Sequence, residues 1–172
     1  MAERPALVGG VGQLYQGDLD LGRIAAERLA AEDLGEGVLV EELHYGAVAV
    51  AQRLEELFPR LLVLVGSERR GRPPGEVVRR EVQGDAPLTT EAHGAVSDAV
   101  TGYVSIDLVV EVARSMGVLP ARTVVVEVEP AVTDPSEHLS GPARDGLERA
   151  LELVRTELSG RARARPGAAA LG

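Results

Sequence analysis

The sequence predicts an α/β domain: a three-layer α/β/α sandwich around a mostly parallel sheet of roughly five strands. Three observations lead there. Short apolar runs alternate with segments of helical spacing along the whole chain. Two of the runs, 61–65 and 123–128, are almost continuously apolar, as strands buried on both faces must be. Aromatic residues make up only 2% of a chain that is 45% hydrophobic, so the core has to be built from Val, Leu, Ala and Ile.

Each element follows from local signals. Residues 6–10 are apolar and end in glycines, a first strand with its turn. Residues 19–34 carry Leu21, Ile24, Ala25, Leu29 and Ala30 near helical spacing. Asp18 stands where an N-cap is expected, and Gly35 and Gly37 follow as a stop. Residues 38–43 read as a second strand and 46–58 as a helix stopped by Pro59. After the buried strand at 61–65 comes a basic Gly/Pro loop, 69–75, then a more polar strand, 77–82, expected at an edge. Residues 85–101 show no regular pattern, and 104–116 are helical with Gly117 as the stop. The strand 123–128, a polar loop over 132–140 and an amphipathic helix 142–158 with Pro142 in its first turn complete the domain. The expected organisation is one domain over 1–159, with 160–172 as a flexible Arg/Ala/Pro/Gly tail.

Bulk properties exclude several function classes. A net charge of −9 argues against nucleic-acid binding, which rests on clustered Lys and Arg. The absence of Cys removes a thiolate metal site, a disulfide framework and a Cys nucleophile. No apolar run approaches a membrane span, and the N-terminus lacks the long apolar stretch of a signal peptide, so a cytoplasmic location is expected.

In a sheet of this kind sites form at the carboxyl ends of the strands. The loop from Gly10 to Asp18 follows the first strand and opens a helix, which raises the question of a nucleotide. A dinucleotide fingerprint counted from Gly10 requires glycine where Tyr15 stands. A phosphate-binding loop requires Gly-Lys-Ser/Thr, whereas Gly17 precedes Asp18, a carboxylate where the phosphate would sit. Other catalytic signatures are thin. Ser105 with Asp107 and Ser136 with His138 lack a third partner, and neither a Gly-x-Ser-x-Gly elbow nor a His-Glu-x-x-His motif occurs.

The run from Gly10 to Gly22 resembles the opening motif of the hydrogenase maturation proteases, G-[IV]-G-N-x-[LF]-x-x-D-[DE]-G-x-G. Gly10, Val11, Gly12, Asp18 and Gly22 match it, with Gln13 in place of the usual Asn. Val124 to Pro130 resembles the family's last strand, and Leu139-Ser140-Gly141-Pro142 resembles the start of its final helix. The similarity runs in family order from about Ala6 to Leu158.

The resemblance implies an endopeptidase that trims a C-terminal extension from the large subunit of a nickel–iron hydrogenase. Such enzymes use the substrate's nickel as a recognition element, so nickel would enter only with the substrate. The partners it implies are that large subunit or its accessory proteins. It also implies three metal-engaging positions, which fall in this chain at Leu19, at Gly66 (or Ser67, one residue on) and near Gly102. Leu and Gly side chains cannot donate to a metal. The expectation is therefore a family-like protein in which peptidase activity is doubtful.

Two alternatives stand beside it. One is an active endopeptidase whose metal site is rebuilt from Asp18 or Asp20, Glu68 and His93. The bland readings of those residues are Asp18 as a helix cap, Glu68 as a solvated partner of Arg69-Arg70, and His93 and His44 as exposed loop residues. The other alternative is a non-enzymatic small-molecule or protein-binding domain using the turn of Gly10, Gly12, Gln13, Gly17 and Asp18.

Overall fold

The computed structural model describes residues 3–83 and 104–160. Its elements are β1 (Ala6–Val11), a 3₁₀ turn (Gly17–Asp20), α1 (Leu21–Ala30), β2 (Val38–Glu42), α2 (Ala47–Leu57), β3 (Leu61–Ser67), β4 (Val77–Val82), α3 (Ile106–Ser115), β5 (Thr123–Val128) and α4 (Gly141–Ser159). The five strands form one sheet in the order β2-β1-β3-β5-β4. All neighbours are parallel except β4, which runs antiparallel to β5 at the edge.

Alternate residues of the central strands feed two apolar layers. Leu7, Leu62, Leu64 and Val125 face α2 and α3. Val8, Val63, Val65, Val124 and Val126 face α1 and α4. β1, β3 and β5 are buried along their whole length, which is why they read as almost continuous apolar runs. The three-layer sandwich expected from the sequence is the architecture observed.

Two helices are capped by side chains. Ser105 accepts from the Leu108 N–H at the start of α3, and Ser140 accepts from the Ala143 N–H at the start of α4. The first helix departs from expectation at both ends. Residues 17–20 form a separate 3₁₀ turn, α1 begins at Leu21, and it ends at Ala30. Asp18 therefore does not cap α1, and its carboxylate is engaged elsewhere in the fold. The irregular stretch 85–101 and the tail from residue 161 lie outside the described residues. Among those described, no helix is long and apolar enough to cross a membrane.

Candidate functional site

The strand order reverses between β1 and β3: β2 lies outside β1, and the chain then crosses to build β3 and β5 on the other side. The carboxyl ends of the two strands diverge there, leaving a crevice. A cavity of about 300 Å³ occupies that place. Gly12, Gln13 and Leu19 line it from the loop after β1, and Ser67, Glu68 and Arg69 line it from the end of β3, with Val104 and Ser105 closing it.

Asp18 and Asp20 flank Leu19 in sequence but turn away from this cavity. Asp18 is fully buried. Its Oδ2 accepts from the N–H groups of Ala131 and Val132, both at 2.8 Å, and from the Ser140 hydroxyl at 2.7 Å. Its Oδ1 accepts from the Ser140 N–H at 2.8 Å. Burial alone would push the Asp18 carboxyl up, but the hydrogen bonds from Ser140, Val132 and Ala131 outweigh it and hold it below the usual carboxylate range. Asp20 is equally enclosed and forms a two-point ion pair with Arg23, at 2.8 and 2.7 Å. Both carboxylates are thus spent within the fold.

Of the positions implied by the resemblance, Leu19 lies on the cavity wall. Gly66 has no room for a side chain: a Cβ there would stand 2.5 Å from the Val11 carbonyl oxygen and 3.0 Å from Ile106 Cδ1. The residue that faces the cavity is the next one, Ser67, whose hydroxyl is buried without a hydrogen-bond partner among the described residues. Gly102 and His93 lie outside the described residues. His44 is exposed, 3.8 Å from Glu42 and edge-on to Tyr45. Among the described residues no group of three His, Cys, Asp or Glu side chains could hold a metal ion.

Glu68 corrects its sequence reading. It is not a solvated partner of Arg69-Arg70. Its Oε1 accepts from the Ile106 N–H at 2.6 Å, anchoring the start of α3 beside the cavity. Burial pushes its carboxyl up to about 7, helped by the neighbouring charges of Asp107 and Glu127, while the Ile106 bond and Arg70 pull the other way. It is the one carboxylate among the described residues lining this cavity, and it titrates near neutrality.

Arg70 is drawn elsewhere. It bonds Asp107 at 2.7 and 2.9 Å and the buried Glu127 at 3.2 and 3.1 Å. Arg72 adds a bond to Glu127 at 2.9 Å. Glu129 receives the backbone N–H groups of Arg70 and Gly71. These bonds draw Arg70 and Arg72 down onto the end of β5, so that of the basic loop only Arg69, bonded to the Thr133 hydroxyl, stays at the cavity.

The glycine turn has a packing role that the sequence left open. A Cβ on Gly10 would lie 2.1 Å from the Gly22 carbonyl oxygen, and one on Gly22 would lie 2.1 Å from that of Val11. α1 therefore rests directly on β1, backbone against backbone. Gly17 takes a left-handed turn, φ 60°, and packs against the carbonyls of Val132 and Asp134. Gly12 and Gln13 remain at the cavity. Of the five turn residues named from sequence, Gly10, Gly17 and Asp18 hold the fold together and two face the site. Ser67 stands one residue past the implied position, and its place at the end of a buried strand is the sequence signal that points to it. Ser105 caps a helix and Ser136 sits in a tight turn with His138, so neither forms a catalytic pair.

The sequence matches no protein-family model, and no curated protein matches it. Solved structures do. The hydrogenase maturating endopeptidase HybD from E. coli is similar at TM-score 0.63 and 23% identity, over 91% of this chain and 94% of that one. A hydrogenase 2 maturation peptidase from a Thaumarchaeota archaeon is similar at 0.62 and 21%, over 91% and 98%. The [NiFe] hydrogenase maturation protease HycI from Thermococcus kodakarensis gives 0.60 and 19%, over 91% and 93%. The likeness extends over nearly the whole length of each, and what it establishes at these identities is a common fold.

Proposed function

Starting from the fold it shares with the hydrogenase maturation proteases, we propose that this chain is a maturation protease-like protein. It engages a nickel–iron hydrogenase large subunit, or an accessory protein of one, in the cytoplasm and without metal-guided cleavage. The observation that carries this reading is the donor set of the switch-point cavity. Where nickel would have to be met, the described chain offers Leu19, the Gln13 amide, Ser67 and Ser105, Glu68 and the cationic Arg69. An apolar wall, neutral hydroxyl and amide groups, a cation and one carboxylate that is half protonated near neutral pH are a poor match to a divalent ion, which wants several ionised oxygens or imidazoles.

A second reading, an active endopeptidase, is favoured by one feature. A carboxyl that titrates near 7 inside a cavity is suited to general acid–base work on an amide. Glu68 would then be the group that moves the proton.

One experiment separates the two. A hydrogenase large-subunit precursor is incubated with the purified protein, and both complex formation and precursor mass are followed. The first reading expects a stable complex with the precursor's mass unchanged. Loss of the C-terminal extension, abolished by Glu68→Gln, establishes the second instead. Absence of any complex removes the maturation role.

A further inference from the structure

At the opposite pole of the sheet, beneath the amino ends of β3 and β5, lies a second cavity of about 500 Å³. It is separate from the switch-point crevice and falls in the size range of small-molecule sites. We infer that it is a binding site for a small organic acid: an apolar body seated between the carboxyl ends of α2 and α3, with its carboxylate held by Arg4 and Arg60.

Phe58 and Met116 supply the apolar wall. Both are large and exposed, at 64% and 42%, and both line this cavity together with Leu119. Phe58 is held there at a cost. It sits in the left-handed region, φ 45°, which few non-glycine residues adopt. Pro59, which follows it, is buried, and the Phe58 N–H is fixed to the Leu54 carbonyl at 2.8 Å. The ring is therefore presented outward by a constrained backbone.

Arg4 and Arg60 supply the charge. Most described arginines, from Arg23 to Arg155, bind a carboxylate. Arg122, on the rim of this cavity, is committed to the buried Glu157. Arg4 and Arg60 carry no ion pair among the described residues, and both line the cavity. The Arg4 guanidinium stacks over the Phe58 ring, 4.4 Å from its centre, which holds the charge beside the apolar wall.

Two groups oppose an anion here, and both can be weighed. Glu55 is a carboxylate on the same rim, one charge against two. The carboxyl ends of α2 and α3 also point this way and would attract the guanidiniums. Several of those carbonyls are already taken, however. Phe58 closes on Leu54, and Met116, Gly117 and Val118 close on Val112, Arg114 and Ala113. Neither arginine side chain donates to a helix carbonyl among the described residues, and their donors remain available for the bidentate contact a carboxylate makes best.

The test uses the full chain and a matched pair of probes, hydrocinnamate and its neutral amide hydrocinnamide, titrated by calorimetry and by amide chemical shifts of isotope-labelled protein. The expected result is acid binding about tenfold tighter than the amide, the scale of one charge-assisted pair. Shifts should centre on Phe58, Met116 and Leu119. Arg60→Gln and Arg4→Gln should each reduce the preference for the acid, and the double variant should abolish it. Equal binding of acid and amide by the unaltered protein, shifts centred elsewhere, or a double variant that keeps the preference would each overturn the inference.

Discussion

The carboxylate of Asp18 receives both the amide N–H and the hydroxyl of Ser140, at 2.8 and 2.7 Å, across 122 residues of chain. The same Ser140 hydroxyl accepts from the Ala143 N–H and so starts α4. One buried side chain after β1 thereby orients the cap of the last helix. With the N–H groups of Ala131 and Val132 both on its Oδ2, it joins the first loop to the last. Replacing Asp18 with Ala should strand these donors in the interior and cost about 3 kcal/mol or more. Urea unfolding at pH 7 measures this. A loss below about 1 kcal/mol would mean the clamp is replaced by water.

The pH dependence of that clamp has a definite sign. Hydrogen bonds hold the folded Asp18 carboxyl below its ordinary value of 3.8. A depressed acid contributes stability that is fully present above the unfolded pKa and is lost as pH falls through the folded one. Wild-type protein should therefore lose stability on acidification below about pH 4. Asp18→Asn should show a shallower loss over the same range. Chemical unfolding at pH 3 and pH 6 for both proteins gives the comparison, and parallel losses would assign the acid sensitivity to other carboxylates such as Glu127.

Glu68 runs the other way. Its folded carboxyl is raised from 4.5 to about 7, chiefly by burial. The neutral form is favoured by folding, so stability should fall as pH rises from about 4.5 through 7 and then level off. The full shift corresponds to about 3 kcal/mol, an upper figure for a group that keeps some solvent contact. Glu68→Gln can still accept from the Ile106 N–H but cannot ionise. It should flatten the stability profile between pH 5 and pH 8 and match or exceed wild type at the upper end. A wild-type profile already flat over this window would show that Glu68 ionises as freely as in an unfolded chain.

These two acids also mark what could be read from sequence. The layers were legible because burial on both faces writes itself into consecutive residues: Leu61 to Val65 and Val124 to Val126 have no polar alternation. Asp18 was legible as important but not in its role, because all its partners lie more than a hundred residues away and a helix start stood next to it. Glu68 is hidden from the sequence for a related reason. Its neighbours Arg69 and Arg70 suggest a surface pair, yet Arg70 is claimed by Glu127 on β5 and Asp107 on α3, which only the fold brings near. Gly10 and Gly22 belong to one motif, but that they touch each other's strand and helix follows from geometry rather than spacing.

That contact yields a further expectation. A methyl group added at Gly10 meets the backbone of α1 at 2.1 Å, and backbone cannot swing aside as a flexible side chain can. Gly10→Ala should cost about 3 kcal/mol or more by forcing α1 off the sheet. Gly35→Ala is a control of a different kind, since nothing lies within 4 Å there and only its positive φ opposes the change. Its cost should be about 1 kcal/mol. Thermal unfolding of both variants ranks them, and a reversed order would refute the close-packing role.

The cavity at the strand ends permits a constructive test of why it does not suit nickel. Leu19 lies on its wall and Ser67 faces it with an unpartnered hydroxyl, so an acid at either position would join Glu68 in one space. Gly66 is the wrong position to alter, because any side chain there collides with Val11 and Ile106. Wild-type protein should bind Cd²⁺ or Ni²⁺ no more tightly than about millimolar, as expected when fewer than three ionised donors converge. The Leu19→Glu/Ser67→Asp double variant should bind at least about tenfold tighter, because three carboxylates then surround one point. Calorimetry at pH 8, where Glu68 is ionised, gives both constants. Tight binding by wild type that disappears in Glu68→Gln would mean the chain completes a metal site with residues beyond those lining the described cavity. The endopeptidase reading would then take precedence.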